Sequence, residues 1–397
     1  MGKPQILIAG AGIGGLTAAL ALARRGYPVA VHEQAAELRE IGAGVQISAN
    51  GMLVLRELGL ADRIMALAAH PERREVRMWN TGQAWTAFDL GAVSVATYGN
   101  PYVTMYRPDL LAVLVDAVNE AAPGAIQLGR RAVACDNQGE HAVLHFADGS
   151  EAHGDALVGA DGIHSAIRAT LHGADHAEFT GLVAWRGIIP TATLPTRLAR
   201  MVSSNWVGPG RHIVQYPVAG GRLMNFVGVV ERDDWREESW TTPGTHAAML
   251  ADFQGWHPDV QELIRAIPQP YLWALKLRPP LPEWSRGRIT LMGDACHPTL
   301  PFLAQGAVMA IEDGFILARA LDAHADIPTA FRAYEMARQG RTARVVNGSA
   351  DNTKRFHNPA LADAAGAQAY VEREWAEEKL RDRYDWMYRY DATTVAI

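Results

Sequence analysis

Four glycines near the N-terminus have the spacing of a phosphate-binding turn. Gly10, Gly12, Gly14 and Gly15 lie between a short apolar run and an Ala/Leu-rich segment, and they match the pattern G-x-G-x-x-G. In a strand–turn–helix unit, the first glycine permits the tight turn, the second admits a pyrophosphate and the third lets the helix approach the strand. The N–H groups and the dipole of the helix start stabilise phosphates. The pattern predicts a dinucleotide site; an α/β core whose glycine turn binds no ligand is the alternative.

An acidic residue completes this unit. The segment Val29–His32 predicts a second strand, and Glu33 follows it, 18 residues after Gly15. A carboxylate at this point can accept hydrogen bonds from an adenosine ribose, whereas a ribose that carries a 2′-phosphate needs a basic partner. Glu33 therefore favours an unphosphorylated ribose, as in FAD or NAD.

Two further predicted strands end in an aspartate beside a glycine. One apolar run leads into Asp161–Gly162 and a later one leads into Gly293–Asp294. Open α/β sheets bind ligands at the carboxyl ends of their strands. Each pair alone also fits an ordinary turn with a side-chain cap. In this order behind the glycine turn, the two pairs predict one extended dinucleotide site.

With these three motifs, the chain resembles the single-component FAD-dependent aromatic hydroxylases, which include the 4-hydroxybenzoate, salicylate, 3-hydroxybenzoate and 6-hydroxynicotinate hydroxylases. The resemblance extends over nearly the whole chain. Segments 180–187 (TGLVAWRG) and 386–391 (WMYRYD) are similar to the salicylate-hydroxylase branch. The resemblance implies an FAD-binding α/β protein.

The resemblance also assigns FAD contacts to individual residues. It implies that Glu33 holds the ribose, that Arg107 lies along the phosphates and that Asp294 binds the ribityl or ribose part. The pair Asp161–Gly162 would serve both FAD and a reduced nicotinamide. Family members usually have His before the arginine, where this chain has Tyr106.

A glycine-bearing loop follows the second strand at residues 40–48 and contains Val45. In the family, the matching loop borders the isoalloxazine ring and lets it swing. Val45 is therefore expected to contact the cofactor; a plain flexible connection is the alternative.

A predicted helix beyond the Gly293–Asp294 motif is placed to stabilise the flavin. Pro298 and Pro301 interrupt the chain, and the helix begins at Gly306 and Ala307. The dipole at a helix start favours negative charge, such as that of a reduced flavin. Gly306 and Ala307 are therefore candidate cofactor contacts.

A predicted strand at 212–217 supplies a candidate base. Side chains alternate along a strand, so His212, Val214 and Tyr216 share one face. Histidine is suited to take a phenolic proton near neutral pH, and in hydroxybenzoate and hydroxynicotinate hydroxylases a His and a Tyr at this spacing touch the substrate. The resemblance thus implies catalytic roles for His212 and Tyr216; a structural histidine beside a packing tyrosine is the alternative. Further candidates for the substrate site are Gln46, His297 and Pro301.

The wide separation of the three motifs predicts discontinuous domains. The expected Rossmann-like FAD-binding domain comprises residues 1–75, 100–177 and 285–322. Short β runs, turn signals and tryptophans in 178–284, together with 76–99, predict an antiparallel β-sheet substrate domain. Residues 323–397 predict a C-terminal helical segment with a solvated, charged face.

Composition excludes several other classes of protein. The chain has 397 residues, 49% of them hydrophobic, and a net charge of −6, which indicates a large core and gives no electrostatic reason to expect nucleic acid. The two cysteines are expected to be separate thiols, and the scattered histidines predict no metal site. Glycines interrupt the apolar stretch 6–23, so a soluble cytoplasmic protein without a membrane partner is expected. Homodimers are common in the family that the chain resembles.

The resemblance implies an FAD-dependent, NAD(P)H-consuming monooxygenase, and the features of the sequence agree with it. Only one full glycine fingerprint is present, so NADH or NADPH is expected to dock transiently. A flavin C4a-hydroperoxide formed with O₂ would hydroxylate a small hydroxylated aromatic or pyridine carboxylate. Decarboxylating hydroxylation of the same substrates is the alternative within this class, and a flavin oxidase or dehydrogenase is the alternative outside it.

Overall fold

The computed structural model describes residues 2–38, 43–174, 177–234 and 242–397. In these ranges the strands are β1 (Ile6–Ala9), β2 (Val29–His32), β3 (Gly44–Ile47), β4 (Arg73–Met78), β5 (Ala84–Asp89), β6 (Val103–Tyr106), β7 (Ile126–Gln127), β8 (Ala132–Gln138), β9 (His141–Phe146), β10 (Glu151–Gly154), β11 (Ala156–Gly159), β12 (Glu178–Pro190), β13 (Ser203–Gly208), β14 (Arg211–Val218), β15 (Leu223–Glu231), β16 (Tyr271–Leu277), β17 (Ser285–Arg286) and β18 (Ile289–Leu291). The helices are α1 (Ile13–Ala23), α2 (Ala49–Glu57), α3 (Ala61–Leu67), α4 (Ala92–Tyr98), α5 (Arg107–Ala121), α6 (Ala166–His172), α7 (His246–Asp252), α8 (Pro258–Ala266), α9 (Gly306–Ala323), α10 (Ile327–Phe356), α11 (Ala364–Glu374) and α12 (Glu377–Tyr388).

A mostly parallel sheet carries the glycine turn. Its strand order is β17-β18-β11-β1-β2-β7, and the strands from β18 to β7 run parallel. Strands β1, β11 and β18 are fully buried, as expected for strands covered on both faces. Because β1, β2, β11 and β18 are parallel neighbours, the three sequence motifs follow strands that end at the same edge. This arrangement confirms the Rossmann-like α/β prediction.

A second sheet has the order β16-β12-β15-β14-β13-β4-β5. Its neighbours are antiparallel, as predicted, except that β13 and β4 run parallel. Strand β4 begins at Arg73, before the predicted boundary at residue 76. The parallel pair arises because β4 and β5 come from an earlier stretch of chain and join the sheet beside β13.

The two faces of this second sheet have different partners. One face carries Trp185, Trp206 and Phe226 in an apolar cluster with Phe253 and with Leu263 of α8. The tryptophans there pack the sheet. Because strand side chains alternate, the opposite face presents a different set of residues, and this face is turned toward α9 and the C-terminal helices.

The C-terminal segment is helical, as predicted, and its role is larger than that of a solvated tail. Charged side chains such as Glu372 and Glu377 are exposed. However, Trp375, Tyr384 and Tyr388 are buried in a cluster that includes residues of β4, β13 and β15. Helices α10 to α12 therefore cover the second face of the sheet.

A buried cluster of charges joins α9 to α10. The Nε atom of Arg338 donates to Asp313 over 2.7 Å, and an Nη atom of Arg338 lies 2.8 Å from Glu312. Arg341 also donates to Glu312 over 2.8 Å. Burial alone would raise the pKa of Asp313, but His297 and Arg338 lower it to about 2. The cluster therefore stays ionised and holds the two helices in one register.

Three remaining findings concern the described residues. None of their helices combines the length and the apolar character needed to cross a membrane. They contain no group of three or more His, Cys, Asp or Glu placed to hold a metal ion. Cys135 and Cys296 are both free and buried, which confirms the prediction of two separate thiols.

We expect Arg338→Met to destabilise the protein by about 3–5 kcal/mol, because it removes the arginine partner of the buried Asp313 and one of the two arginine partners of the buried Glu312. The matched control is Lys354→Met on the same helix, since Lys354 and its ion-pair partner Asp351 are both exposed, and such a surface pair is worth about 0–1 kcal/mol. The free energy of unfolding in urea measures both. Equal losses in the two variants would contradict the role given to the buried cluster.

Candidate active site

A cavity of about 310 Å³ lies at the carboxyl edge of the parallel sheet. Gly10, Gly12, Glu33, Asp161 and Gly162 contribute to its lining. These residues follow β1, β2 and β11, so the fold brings together segments that lie far apart in the sequence. The arrangement is the one that the glycine turn and its acidic partners predict.

The glycines of the turn have different steric surroundings. Gly10 has a φ of +105°, and a Cβ there would collide with the carbonyl oxygen of Ala160. A Cβ on Gly15 would collide with the carbonyl oxygen of Gly10, and Gly14 packs closely against α9. A Cβ on Gly12 would meet no atom within 4 Å. The fold therefore requires Gly10 and Gly15 and favours Gly14, whereas Gly12 leaves open space for a phosphate at the start of α1.

Two polar side chains at the end of β2 line the same cavity. The Glu33 carboxylate accepts hydrogen bonds from the N–H groups of Ala11 (2.8 Å) and Ala35 (2.9 Å), which fixes it beside the glycine turn. His32 is buried, and neither of its ring nitrogens has a hydrogen-bond partner among the described residues. Burial, followed by the charge of Arg130, lowers the pKa of His32 to about 4. Such unpartnered polar atoms fit a cavity that binds a polar ligand.

Asp161 caps a helix as well as lining the cavity. Its carboxylate accepts from the Ser165 hydroxyl over 2.5 Å and from the N–H of Ala166 over 2.7 Å. Gly162 has a φ of +78° and turns the chain toward α6. The Asp161–Gly162 pair is therefore both a turn with a side-chain cap and a part of the cavity lining, so the two interpretations of this motif are compatible.

Arg107 and Asp294 lie close enough to interact. Arg107 begins α5, and its N–H donates to the carbonyl of Ala43 over 2.8 Å. Asp294 is exposed at the surface, but the protein groups packed around its carboxylate remove water from it and raise its pKa, against the opposing charges of His297 and Arg107. Both residues assigned to the cofactor by resemblance are thus neighbours, and the preceding Gly293 N–H donates to Asp313 over 3.0 Å.

A second cavity, of about 70 Å³, lies between the second sheet and the loop before α9. His212 and Tyr216 line it from β14, as the alternation of strand side chains predicts. The apolar part of the lining comprises Val214, Val227, Val229, Pro301, Phe302, Leu303, Ala304 and Phe356. The polar part comprises Gln46, Arg74, Asn205, His212 and Tyr216. Four predicted substrate-site residues are thereby brought together: Gln46, His212, Tyr216 and Pro301.

His297 is placed elsewhere. It is buried below the turn at Gly293, where its Nε2 atom lies 2.6 Å from a carboxylate oxygen of Asp313. Its ring lies 5.3 Å from that of Trp284. The negative charge of Asp313 accounts for this orientation, and His297 is not part of the lining of the second cavity.

Strand β3 reaches from the glycine-bearing loop to the second cavity. The N–H of Gly44 donates to Asn225 over 2.8 Å, and a Cβ on Gly44 would come within 2.6 Å of the Tyr216 ring. Only glycine permits this close approach. Val45 and Gln46 follow directly, while the predicted loop residues 40–42 lie outside the described residues.

The start of α9 adjoins the same cavity. Ala304 has a left-handed φ of +54°, which turns the chain from the cavity wall into the helix. Gln305 donates to the Ser48 hydroxyl over 2.9 Å, and the helix begins at Gly306, followed by Ala307. The predicted flavin contacts Gly306 and Ala307 therefore lie at a helix N-terminus, beside the cavity and close to β3 and α2.

His212 belongs to a chain of hydrogen bonds that sequence reasoning missed. Its Nδ1 atom lies 2.6 Å from Nε2 of His357, and Nδ1 of His357 lies 2.9 Å from the Glu231 carboxylate. Burial, followed by the charge of His357, lowers the pKa of His212 well below 6.5. Burial also lowers the pKa of His357, against the opposing effect of Glu231. His357 follows α10, 145 residues from His212 in the sequence, so no local pattern could have revealed the pair.

Arg74 is the second missed residue. It lines the second cavity from β4 and is 7% exposed. One feature of the sequence could have indicated a buried role for Arg74: it shares a strand face with the apolar residues Val76 and Met78. A charged residue on an apolar strand face is informative, because charges are rarely buried without a purpose.

Comparison with known proteins agrees with this geometry. Residues 3–349 match a family model described as an FAD binding domain. The chain is 40% identical over 356 residues to the 6-hydroxynicotinate 3-monooxygenase of Bordetella bronchiseptica, covering 89% of this chain and 92% of that protein. It is 35% identical over 389 residues to the 3-hydroxybenzoate 6-hydroxylase of Polaromonas naphthalenivorans, covering 96% and 95% of the two chains.

A solved structure has the same fold. HpxO of Klebsiella pneumoniae, crystallised with FAD and uric acid, is 28% identical, covers 96% of each chain and gives a TM-score of 0.84. The similarity of sequence and of fold extends through the glycine turn, both aspartate motifs and the sheet that carries the second cavity. We conclude that the chain belongs to the FAD-dependent aromatic hydroxylases, the monooxygenase family that its three motifs resemble.

Proposed function

We propose that this protein uses NADH or NADPH and O₂ to hydroxylate a small hydroxylated aromatic or pyridine carboxylate. The observation that carries the proposal is the second cavity, where the base candidate His212 lies beside the start of α9. The names of the two relatives specify a hydroxynicotinate and a hydroxybenzoate, and the mixed polar and apolar lining of the second cavity is compatible with one such ring. When bound, FAD would supply the reduction by NAD(P)H and the activation of O₂.

The first cavity would hold the adenosine and pyrophosphate part of FAD. Glu33 would accept hydrogen bonds from the ribose, Gly12 would admit the pyrophosphate and Arg107 would balance its charge. Asp294 would bind the ribityl or ribose part. The segments that would border the ring itself contain Val45, Gly306 and Ala307. The open space at Gly12 and the unpartnered ring of His32 support this assignment.

The hydrogen-bond chain of His212 defines which of its nitrogens can act as a base. Glu231 accepts from the Nδ1–H of His357, so Nε2 of His357 carries no proton and accepts from the Nδ1–H of His212. The remaining nitrogen of His212, Nε2, is then the unprotonated one. It can accept the proton of a ring hydroxyl and so increase the electron density of the ring.

The same chain offers a route for that proton to leave. Protonated His212 can pass its Nδ1 proton to His357, and His357 can pass its own Nδ1 proton to Glu231. The Glu231 side chain is 56% exposed, so its proton exchanges with solvent. Tyr216 has a different role, because burial raises the pKa of its phenol. Tyr216 therefore remains protonated and can donate a hydrogen bond to the substrate.

Purified protein loaded with FAD should oxidise NADH or NADPH faster when 6-hydroxynicotinate, 3-hydroxybenzoate or salicylate is added, without any second protein. Oxygen consumption and chromatography of the products measure turnover, and release of labelled CO₂ detects the decarboxylating alternative. Oxidation of an amine or alcohol without NAD(P)H would instead favour the oxidase alternative, and dependence on a separate reductase would contradict the proposal.

Gly12→Ala should fold normally and bind FAD at least ~10-fold more weakly, a loss of about 1.4 kcal/mol. The added methyl meets no protein atom within 4 Å, so it occupies only the space assigned to the pyrophosphate. Gly15→Ala is the matched control and should lose fold stability, since its methyl collides with the Gly10 carbonyl. The FAD dissociation constant and the melting temperature of the apoprotein separate the two effects. Unchanged FAD binding in Gly12→Ala would remove the pyrophosphate from this position.

His212→Ala should keep FAD and NAD(P)H oxidation while its rate of ring hydroxylation falls by ~10²–10⁴-fold, the usual worth of a general base. Reducing equivalents should appear as H₂O₂. In the unmodified enzyme, kcat/KM should not decrease as the pH is lowered to 6.5, because His212 loses its base form only below its own lowered pKa. Stopped-flow kinetics with quantitation of product and H₂O₂ provide the measurement.

Two companion variants sharpen this test. His153→Ala alters an exposed histidine on β10 and should leave hydroxylation unchanged. Glu231→Gln removes the charge that orders the two imidazoles, so kcat should fall and the acid limb of the pH profile should move, with KM little changed. A coupled, fully active His212→Ala enzyme would give His212 a structural role instead.

A further inference from the structure

Arg74 presents a buried positive charge to the second cavity. It stands opposite Ser203 in the parallel pair of β4 and β13, and its side chain lines the cavity together with His212. One Nη atom donates to Gln46 over 2.7 Å and to the hydroxyl of Tyr102 over 2.5 Å. The guanidinium also lies 5.3 Å from the centre of the Tyr102 ring. These contacts fix the orientation of the guanidinium.

The contacts of Arg74 do not neutralise its charge. A guanidinium keeps its proton in proteins, and in the described part of the chain the partners of Arg74 are an amide and phenols. Burial raises the pKa of Tyr102 and of the nearby Tyr388, so these phenols are neutral. A buried charge without a counter-charge costs several kcal/mol.

Two other arginines that are largely shielded from solvent have carboxylates beside them. Arg338 pairs with Asp313 and Glu312, and Arg77 lies within 4 Å of Glu75 and Asp259. Arg74 differs from both because its free side faces a cavity instead of an acidic side chain. An anion in that cavity would supply the missing counter-charge.

We propose that Arg74 anchors the carboxylate of the substrate and thereby selects carboxylated rings. A guanidinium and a carboxylate match in shape and can form two parallel hydrogen bonds. Gln46 and Tyr102 hold the guanidinium in position for this contact. The inference rests on the proposed function, because it takes the occupant of the second cavity to be a hydroxylated aromatic acid.

The sheet register also separates the two ends of the ligand. His212 stands opposite Val207, and Arg74 stands opposite Ser203, four residues away on β13. Two strand spacings across and four residues along place the Cα atoms of His212 and Arg74 ~16 Å apart on a flat sheet. Side chains that approach each other across this distance leave room for the width of a ring. A ligand whose hydroxyl and carboxylate are para to each other, as in 4-hydroxybenzoate and 6-hydroxynicotinate, has these two groups farthest apart and spans this separation best.

The test compares each acid with its neutral amide. In titrations of the FAD-loaded protein followed by flavin absorbance, 4-hydroxybenzoate and 6-hydroxynicotinate should bind ~10–100-fold more tightly than 4-hydroxybenzamide and 6-hydroxynicotinamide, the worth of a charged hydrogen bond. In Arg74→Met this ratio should fall to about one, and Arg74→Lys should retain part of it. Arg73→Met, which alters a neighbouring arginine paired with Glu72, should keep the full ratio.

Stability distinguishes an anchor from a structural residue. Without ligand, Arg74→Met should melt at the same temperature as the unmodified protein or higher, because the change removes an uncompensated buried charge. A structural role predicts a lower melting temperature and lost FAD in this variant. Calorimetric melting curves and the FAD content of the purified variants report both properties.

Each remaining outcome has a defined meaning. If Arg74→Met keeps the preference for acid over amide while the unmodified enzyme turns over the acids, the anchor assignment is wrong and the proposed function stands. If the unmodified enzyme neither binds nor hydroxylates any of these acids, the proposed function and the anchor fail together. Tighter binding of salicylate than of 4-hydroxybenzoate would overturn the para arrangement.

Discussion

The buried carboxylate of Asp313 is the interaction on which most of the site depends. One of its oxygens accepts from the N–H of Gly293 and contacts His297, and the other accepts from Arg338. A single charge on α9 therefore fixes the turn after β18, the loop beyond it and the position of α10. Because the charge is fully buried, its partners cannot be exchanged for water without a large loss of free energy. The carboxyl edge of the parallel sheet and the second cavity are thereby held at a fixed distance and orientation.

The second cavity shows two contrasting uses of charge in a water-poor interior. His212 and His357 are kept neutral by burial, and the exposed end of their hydrogen-bond chain at Glu231 orders their protons. A neutral imidazole can accept a proton, so this environment suits a base. Arg74 cannot lose its proton, so burial leaves a fixed positive charge that favours an anionic ligand. One cavity thus combines a group that takes up a proton with a group that binds a charge.

The C-terminal helices complete the cavity as well as the fold. Phe356, the last residue of α10, lines the cavity, and His357 follows it directly. Tyr388 of α12 packs against Tyr102, the partner of Arg74, with ring centres 6.0 Å apart. The segment that looks most like a solvated tail in the sequence therefore supplies the second layer behind both polar groups of the substrate site.

The sequence by itself determined the features that depend on local chain geometry. The glycine turn, the acid after β2 and the two aspartate turns each lie within a few residues of a strand end, and parallel strand ends must meet at one edge. The alternation of side chains along β14 likewise placed His212 and Tyr216 on one face. These local rules were sufficient for the fold class and for most of the residues expected to bind the cofactor, whereas the family came from the resemblance that the three motifs carry.

Only the tertiary structure decided which distant residues meet those groups. Arg74 reaches the cavity through the pairing of β4 with β13. His357, which follows α10, and Glu231 lie behind His212 in its hydrogen-bond chain. None of these placements leaves a periodic pattern in the sequence. His297 is the opposite case, a residue that the sequence placed in the cavity and the fold does not. The buried carboxylate of Asp313 on α9 binds its ring away from the cavity. Burial and long-range charge pairing depend on the whole fold, and they decide the roles of single polar side chains.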